Sequence, residues 1–260
     1  TARNMTTVHI NNILDLPLVN TATAITIQEG SPFTGVVGSF AVSNPAPVAG
    51  QVDPTATASD FVATIAWGDG TITAGSIVAN GTGGFDVVGT HTYALASAPA
   101  IVVNVTHNAS SSSATVGGIT TVLQTNGGSV TAINSAATVT AAPISAASAP
   151  VLAVEAALIP AGTLLATFTD ANPLGVIGSF AATVNWGDGT GTFPAVITAS
   201  VVPGTYLVQS AAARSYADLG LFNVTVMIAS VSGTTAVTTG SATVADAAIN
   251  VAGTNVIAVD

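Results

Sequence analysis

Three histidines, His9, His91 and His107, are the only side chains of this chain suited to a general base near neutral pH. Nucleophilic catalysis would need one of them beside a serine or threonine and held by a third group. Serines and threonines are abundant, but no nucleophile-elbow sequence appears. Glycoside hydrolysis would need two carboxylates across a cleft. The 12 acidic residues show no marked pair. Cysteine is absent, so thiolate metal sites and disulfides are excluded. The remaining metal chemistry is that of oxygen ligands: Asp170 and Asn172 lie two apart in an inter-strand loop and would suit calcium. No other cofactor is expected.

One polar phrase is repeated. "ATIAWGDGTITAG" at 63–75 returns as "ATVNWGDGTGTFP" at 182–194, and each copy holds one of the two tryptophans, Trp67 and Trp186. The repeat extends in both directions. Upstream, Phe40 and Asn44-Pro45 match Phe168 and Asn172-Pro173. Downstream, His91-Thr92-Tyr93 matches Arg214-Ser215-Tyr216, and "IVVNVT" at 101–106 is aligned with "LFNVTV" at 221–226. Arg214 in place of His91 argues against one histidine chemistry shared by both copies, zinc ligation included. A structural reading fits the phrase better. A strand-borne tryptophan plugs a core, glycine permits the positive φ of a tight turn, and Asp69 or Asp188 can accept backbone N–H groups there. Tyr93 and Tyr216 each precede an apolar strand, as in a tyrosine corner.

The elements around these residues read as strands. Val, Ile and Thr dominate, Gly and Pro punctuate at short intervals, and no long helical period intervenes. The fold class is therefore all-β, with two tandem sandwich domains of 17–143 and 144–246. The first carries insertions at 46–59 and within 107–134, the latter with a turn at Asn126-Gly127-Gly128. Each unit opens with an alternating segment read as one strand, at 16–30 and 142–156. A third such opening occupies 246–260. There Ile249, Val251, Ile257 and Val259 share one parity, as a half-buried strand requires. Residues 1–16 lie outside the repeat.

Trp-Gly-Asp-Gly followed by His-Thr-Tyr and an alternating strand resembles the polycystic-kidney-disease (PKD) type domain, found in tandem in large bacterial surface proteins. The resemblance covers most of 17–246. It implies an immunoglobulin-like β-sandwich and an extracellular or cell-surface setting in a bacterium. Arg214 departs from the usual histidine of that motif.

Composition narrows the partners. Lysine is absent, and Arg3 and Arg214 are the only strong cations against a net charge of −10. Nucleic-acid binding is excluded on that ground. No membrane insertion is expected, because the most apolar run, 151–168, is broken by Glu155, Pro160 and Gly162. Soluble sandwiches protect edge strands with charge, lysine above all. Here that device is nearly missing, as if neighbours covered the edges. The sequence reading is therefore a non-enzymatic extracellular structural protein, a head-to-tail homo-polymer in which the strand at 247–260 adds to the next subunit's sheet. The N-terminal segment 1–16 is the other candidate donor. The alternative is a segment of a surface adhesin that binds polysaccharide or a protein partner.

Overall fold

A computed structural model describes residues 18–42, 57–108, 111–116, 119–124 and 130–248. The chain divides into two compact units between Thr140 and Ala141. The link residues Ala142 and Pro143, placed by sequence at the end of the first unit, bond within the second. The Ala142 carbonyl accepts from the Thr234 hydroxyl at 2.9 Å, and the Pro143 carbonyl from the Ala171 N–H. Asn44-Pro45, most of the 46–59 insertion, the Asn126-Gly127-Gly128 turn, segment 1–16 and Ile249, Val251, Ile257 and Val259 lie outside the described residues.

The first unit contains β1 (Leu18–Ala22), β2 (Ala24–Gln28), β3 (Phe33–Val42), β4 (Phe61–Ala66), β5 (Ile72–Ala79), β6 (Phe85–His91) and β7 (Ala100–His107). The hairpin β8 (Ser111–Val116) and β9 (Ile119–Gln124) follows, then β10 (Val130–Thr140). The second contains β11 (Ile144–Ser148), β12 (Val151–Val154), β13 (Leu164–Asp170), β14 (Phe180–Asn185), β15 (Thr192–Ala199), β16 (Thr205–Ser210), β17 (Gly220–Ser230) and β18 (Thr235–Ala245). Pairing orders are β1-β3-β6-β5-β4-β7-β10-β2 and β11-β13-β16-β15-β14-β17-β18-β12, the same path twice. The hairpin β8–β9 has no counterpart among the described residues of the second unit.

Each opening segment, expected as one strand, is two. β1 pairs antiparallel with β3, and β2 pairs parallel with β10; β11 and β12 divide in the same way between β13 and β18. A short break, at Thr23 in one unit and Ala149-Pro150 in the other, carries the chain from one sheet to the opposite one. On the far side a second strand does the same. The first half of β5 pairs with β4 and its second half with β6, and β15 divides between β14 and β16.

Alternation places the core between the sheets. Phe61, Ala63 and Ile65 of β4 and Ile101, Val103 and Val105 of its neighbour β7 point inward side by side, while Val62 and Thr64 point outward. In the second unit Ala182 and Val184 meet Val224, Val226 and Ile228. This pairing corrects the sequence alignment of the strand after the tyrosine. Ile65 pairs with Val103 and Val184 with Val226, so the equivalent of Ile101–Thr106 is Val224–Ala229, not Leu221–Val226. A three-residue slip would turn every side chain to the wrong face.

An aromatic trio closes one end of each core. Phe40, Phe61 and Phe85 have ring centroids 5.0–5.3 Å apart. Phe168, Phe180 and Tyr206 repeat the arrangement at 4.9–5.1 Å. The Tyr206 hydroxyl also donates to the Gly175 carbonyl at 2.8 Å. We expect Phe61→Ala to cost roughly 3–5 kcal/mol. Tyr206→Phe should cost about 1 kcal/mol, the worth of one hydrogen bond. Hydrogen exchange resolved by unit would check that each loss stays within its own sandwich.

Candidate functional site

The repeated phrase leaves β4 at Ala66 and enters β5 at Ile72, at the sandwich end where β6 runs out into Tyr93. Trp67 is fully buried and Trp186 nearly so. Gly68 and Gly187 have φ of +82° and +77°, and a Cβ at either would lie 2.5 Å from a carbonyl oxygen, of Ala100 or Asn223. Both the backbone angle and the close approach require glycine there.

Asp69 then folds back on its own turn. Its Oδ1 accepts from the Thr71 N–H at 3.0 Å and the Thr71 hydroxyl at 2.7 Å. Its Oδ2 lies 2.7 Å from His91 Nε2. The His91 ring stacks on Trp67, 4.7 Å between centroids and 17° between planes. Tyr93 donates its hydroxyl to the Trp67 carbonyl at 3.0 Å, and the Trp67 indole N–H donates to Thr73 Oγ1 at 2.9 Å.

The second unit builds the same site with a different side chain opposite the carboxylate. Asp188 Oδ1 accepts from the Thr190 N–H at 3.2 Å and its hydroxyl at 2.7 Å. The guanidinium of Arg214 takes the place of His91, donating to Asp188 Oδ2 and to Thr190 Oγ1. It also lies over the Trp186 ring at 5.6 Å and the Phe193 ring at 4.5 Å. Tyr216 donates to the Trp186 carbonyl at 3.0 Å. Trp67, Asp69 and Tyr93 thus converge in one unit and Trp186, Asp188 and Tyr216 in the other. The partners that sequence reasoning missed are Thr71, Thr190 and Arg214. A threonine follows Gly-Asp-Gly in both copies, and histidine and arginine are both N–H donors. Those two regularities were the available signal.

The electrostatics follow from the contacts. Burial works to raise the Asp69 carboxyl, but the Thr71 hydroxyl, the Thr71 N–H and His91 outweigh it and hold it below its ordinary range. Burial likewise opposes Asp188, where Arg214 and Thr190 prevail and lower it. Tyr93 is pushed up to about 12 by burial and by the Asp69 charge, and Tyr216 to about 12 by burial and Asp188. Each carboxylate is committed to its turn, and each phenol stays protonated as a donor.

Asp170 and Asn172 form a separate loop. Asp170 Oδ1 accepts the Asn172 N–H at 3.1 Å, and Asn172 Oδ1 the Leu174 N–H at 2.9 Å. Among the described residues, no group of three or more His, Cys, Asp or Glu side chains is arranged to hold a metal ion. His107 packs its ring against Phe61, 5.1 Å between centroids, away from the repeated turn. His9 lies outside the described residues.

No protein-family model matches the chain, and no curated protein matches it. Solved structures do. A titin A168–A169 fragment is 12% identical, over 86% of this chain and 95% of that one, with a TM-score of 0.36. A protocadherin gammaB7 EC3–6 structure is 13% identical, over 87% and 46%, with a TM-score of 0.32. Mouse cadherin-23 EC22–24 is 14% identical, over 88% and 65%, with a TM-score of 0.28. The chain spans less than two thirds of the length of these two cadherin-type chains.

Two outcomes are expected from this geometry. Asp69→Ala removes the acceptor of the Thr71 N–H and of His91, both in solvent-exposed bonds, and should destabilise the first unit by about 0.5–1.5 kcal/mol. Asp69→Asn keeps one oxygen and should cost less. Unit-resolved hydrogen exchange would check both. The pH dependence has opposite signs for the two groups. Asp188 titrates lower folded than unfolded, so its contribution is present above the unfolded value and lost as pH falls through the folded one. Tyr93 and Tyr216 titrate higher folded, so theirs is complete below the ordinary 10.0 and lost as pH rises toward about 12. Urea midpoints measured in steps through that alkaline interval should fall, and the fall should shrink in Tyr93→Phe.

Proposed function

We propose that this chain is a non-enzymatic structural segment of an extracellular surface protein, built from PKD-type sandwiches in tandem. One observation carries the reading. The residues that could do chemistry in each unit, Asp69 with His91 and Asp188 with Arg214, are spent on closing a turn beside a buried tryptophan. The histidine–arginine exchange between units keeps an N–H group on the carboxylate and replaces imidazole by guanidinium, which a structural latch tolerates and a shared catalytic base does not. A panel of peptidase, esterase and glycosidase substrates should therefore give background rates. A turnover that disappears in His91→Ala would overturn this.

The finer reading is a subunit of a filament, sheath or surface layer, joined head to tail through residues 247–260. Its support is compositional. The chain has no lysine to guard its edges, and 246–260 repeats the segments that form β1–β2 and β11–β12. The sandwich edges make a specific demand on it. The split strands β1 and β2 stand at the two ends of the pairing order, so an incoming strand would add beside one of them or take its place in the acceptor. Negative-stain images of the chain and of a version lacking 247–260 test this. Filaments from the full chain and folded monomers from the shortened one are expected. Unchanged polymerisation after the deletion would sink strand donation.

The adhesin alternative gains less from the aromatic surface. Sugar-binding platforms stack rings on sugars, and among the described aromatic side chains only Phe193 is exposed, with Arg214 over its ring.

A further inference from the structure

The two units differ sharply at one place. In the second, four aliphatic side chains stand out of the sheet near one end: Leu152 at 82% exposure, Leu221 at 73%, Leu219 at 57% and Val154 at 40%. The strand register gathers them. Leu152 of β12 pairs with Thr243 of β18, and Thr243 pairs with Leu221 of β17, so the two leucines flank one threonine in a single row. Val154 stands two residues along β12, beside Ala245.

Tandem repetition supplies the comparison. The bonds Gly30 N–H to Tyr93 carbonyl and Ala156 N–H to Tyr216 carbonyl, each 2.8 Å, fix the equivalence of the two units at this end. On that alignment Thr26 and Gln28 stand for Leu152 and Val154, and Ala96 and Ala98 for Leu219 and Leu221. Among its described residues the first unit carries no such patch. Exposed aliphatic clusters rimmed by polar groups mark interaction sites.

Two exposed aspartates rim this one, Asp218 before Leu219 and Asp246 after Ala245, and the half-buried Glu155, whose Oε1 accepts the Ala247 N–H at 3.4 Å, follows Val154. The first unit lacks this rim as well. Its Glu29 is buried and accepts the Ala96 N–H at 2.6 Å, and Leu95 and Ala141 replace the two aspartates. Patch and rim therefore occur together, in one unit only.

We propose that this surface docks an extended segment of a partner protein that carries aliphatic side chains at alternate positions and lysine or arginine at its ends. β12 is a terminal strand of its sheet, bonded among the described residues to β18 alone, so the segment adds along β12. Its apolar side chains then lie beside Leu152 and Val154, and its cations meet the acidic rim. A second copy of this chain does not fit. It would bring carboxylates against carboxylates, and of its two arginines Arg214 is engaged with Asp188. The inference is independent of the filament reading, which concerns 247–260 and is judged by polymer formation.

The probes are two synthetic peptides, Lys-Val-Thr-Val-Thr-Val-Lys and Glu-Val-Thr-Val-Thr-Val-Glu, titrated into the isotope-labelled full chain and followed by amide resonances. The lysine peptide should shift residues 151–155, 219–221 and 243–246 and leave 24–29 unmoved. Raising the salt from low to about 0.5 M should weaken it on the order of tenfold, because the rim charges are solvent-exposed and screened. The double variant Leu152→Thr with Leu221→Thr should lose binding while its thermal unfolding stays unchanged, since both side chains are exposed. Equal binding of the glutamate peptide, shifts in β2 or binding of neither peptide would overturn the proposal. So would patch resonances that move with protein concentration alone, which would make the occupant a second copy. Binding that appears only after removal of 249–260 would assign the patch to the chain's own end.

Discussion

The hydrogen bond from a buried tyrosine to a tryptophan carbonyl ties each sandwich together. Tyr93 lies between β6 and β7, which belong to opposite sheets, and its bond reaches the end of β4. The chain's crossover is thereby pinned to the strand that carries the largest core side chain. Other features follow from that constraint. The carbonyl of Trp67 can point at the phenol only if the chain turns at once, so Gly68 adopts a positive φ against the Ala100 carbonyl. The turn in turn needs an acceptor for its N–H groups, which Asp69 provides. The carboxylate so placed sits beside buried rings and needs a donor, and His91 or Arg214 supplies one.

Much of this was legible in the sequence because glycine, tryptophan and tyrosine have few alternative uses at such spacing. What was not legible failed for physical reasons. The strand after the tyrosine was misaligned by three residues because Val-x-Val alternation looks alike at several offsets. Tyr93 and Tyr216, each eight residues before the first buried strand position, Ile101 or Val224, would have fixed it. The opening strand looked single because side-chain alternation survives a break of one or two residues. Only the identity of the bonded neighbour changes, and that is a tertiary fact. Arg214 in place of His91 tells from sequence only that no histidine chemistry is shared by the two copies. Hydrogen-bond geometry shows the role is donation to a carboxylate, which guanidinium and imidazole both perform.

The acidic residues show how a chain so poor in charge places the little it has. Asp69 and Asp188 close turns, Asp86 accepts from Ser39 and Asn80, and Asp60 accepts the Thr57 N–H ahead of a short 3-10 turn. The outward positions of β4, β7, β10 and β2, and of β14, β17, β18 and β12, carry no ionisable side chain among the described residues. Those faces are left to threonine, asparagine, alanine and a few larger aliphatic side chains, Leu152, Leu221 and Val237 among them.

The parallel pairing of β2 with β10, and of β12 with β18, bears on mechanical load. In each unit the first of these strands lies near the entry of the chain and the second at its exit, five paired positions in one unit and four in the other. Because the strands run the same way, a pull that separates entry from exit slides one strand along the other. The inter-strand bonds are then strained together, in shear, and cannot open one by one as in a peeled hairpin. A sandwich stretched through its ends would resist until that short patch fails as a whole.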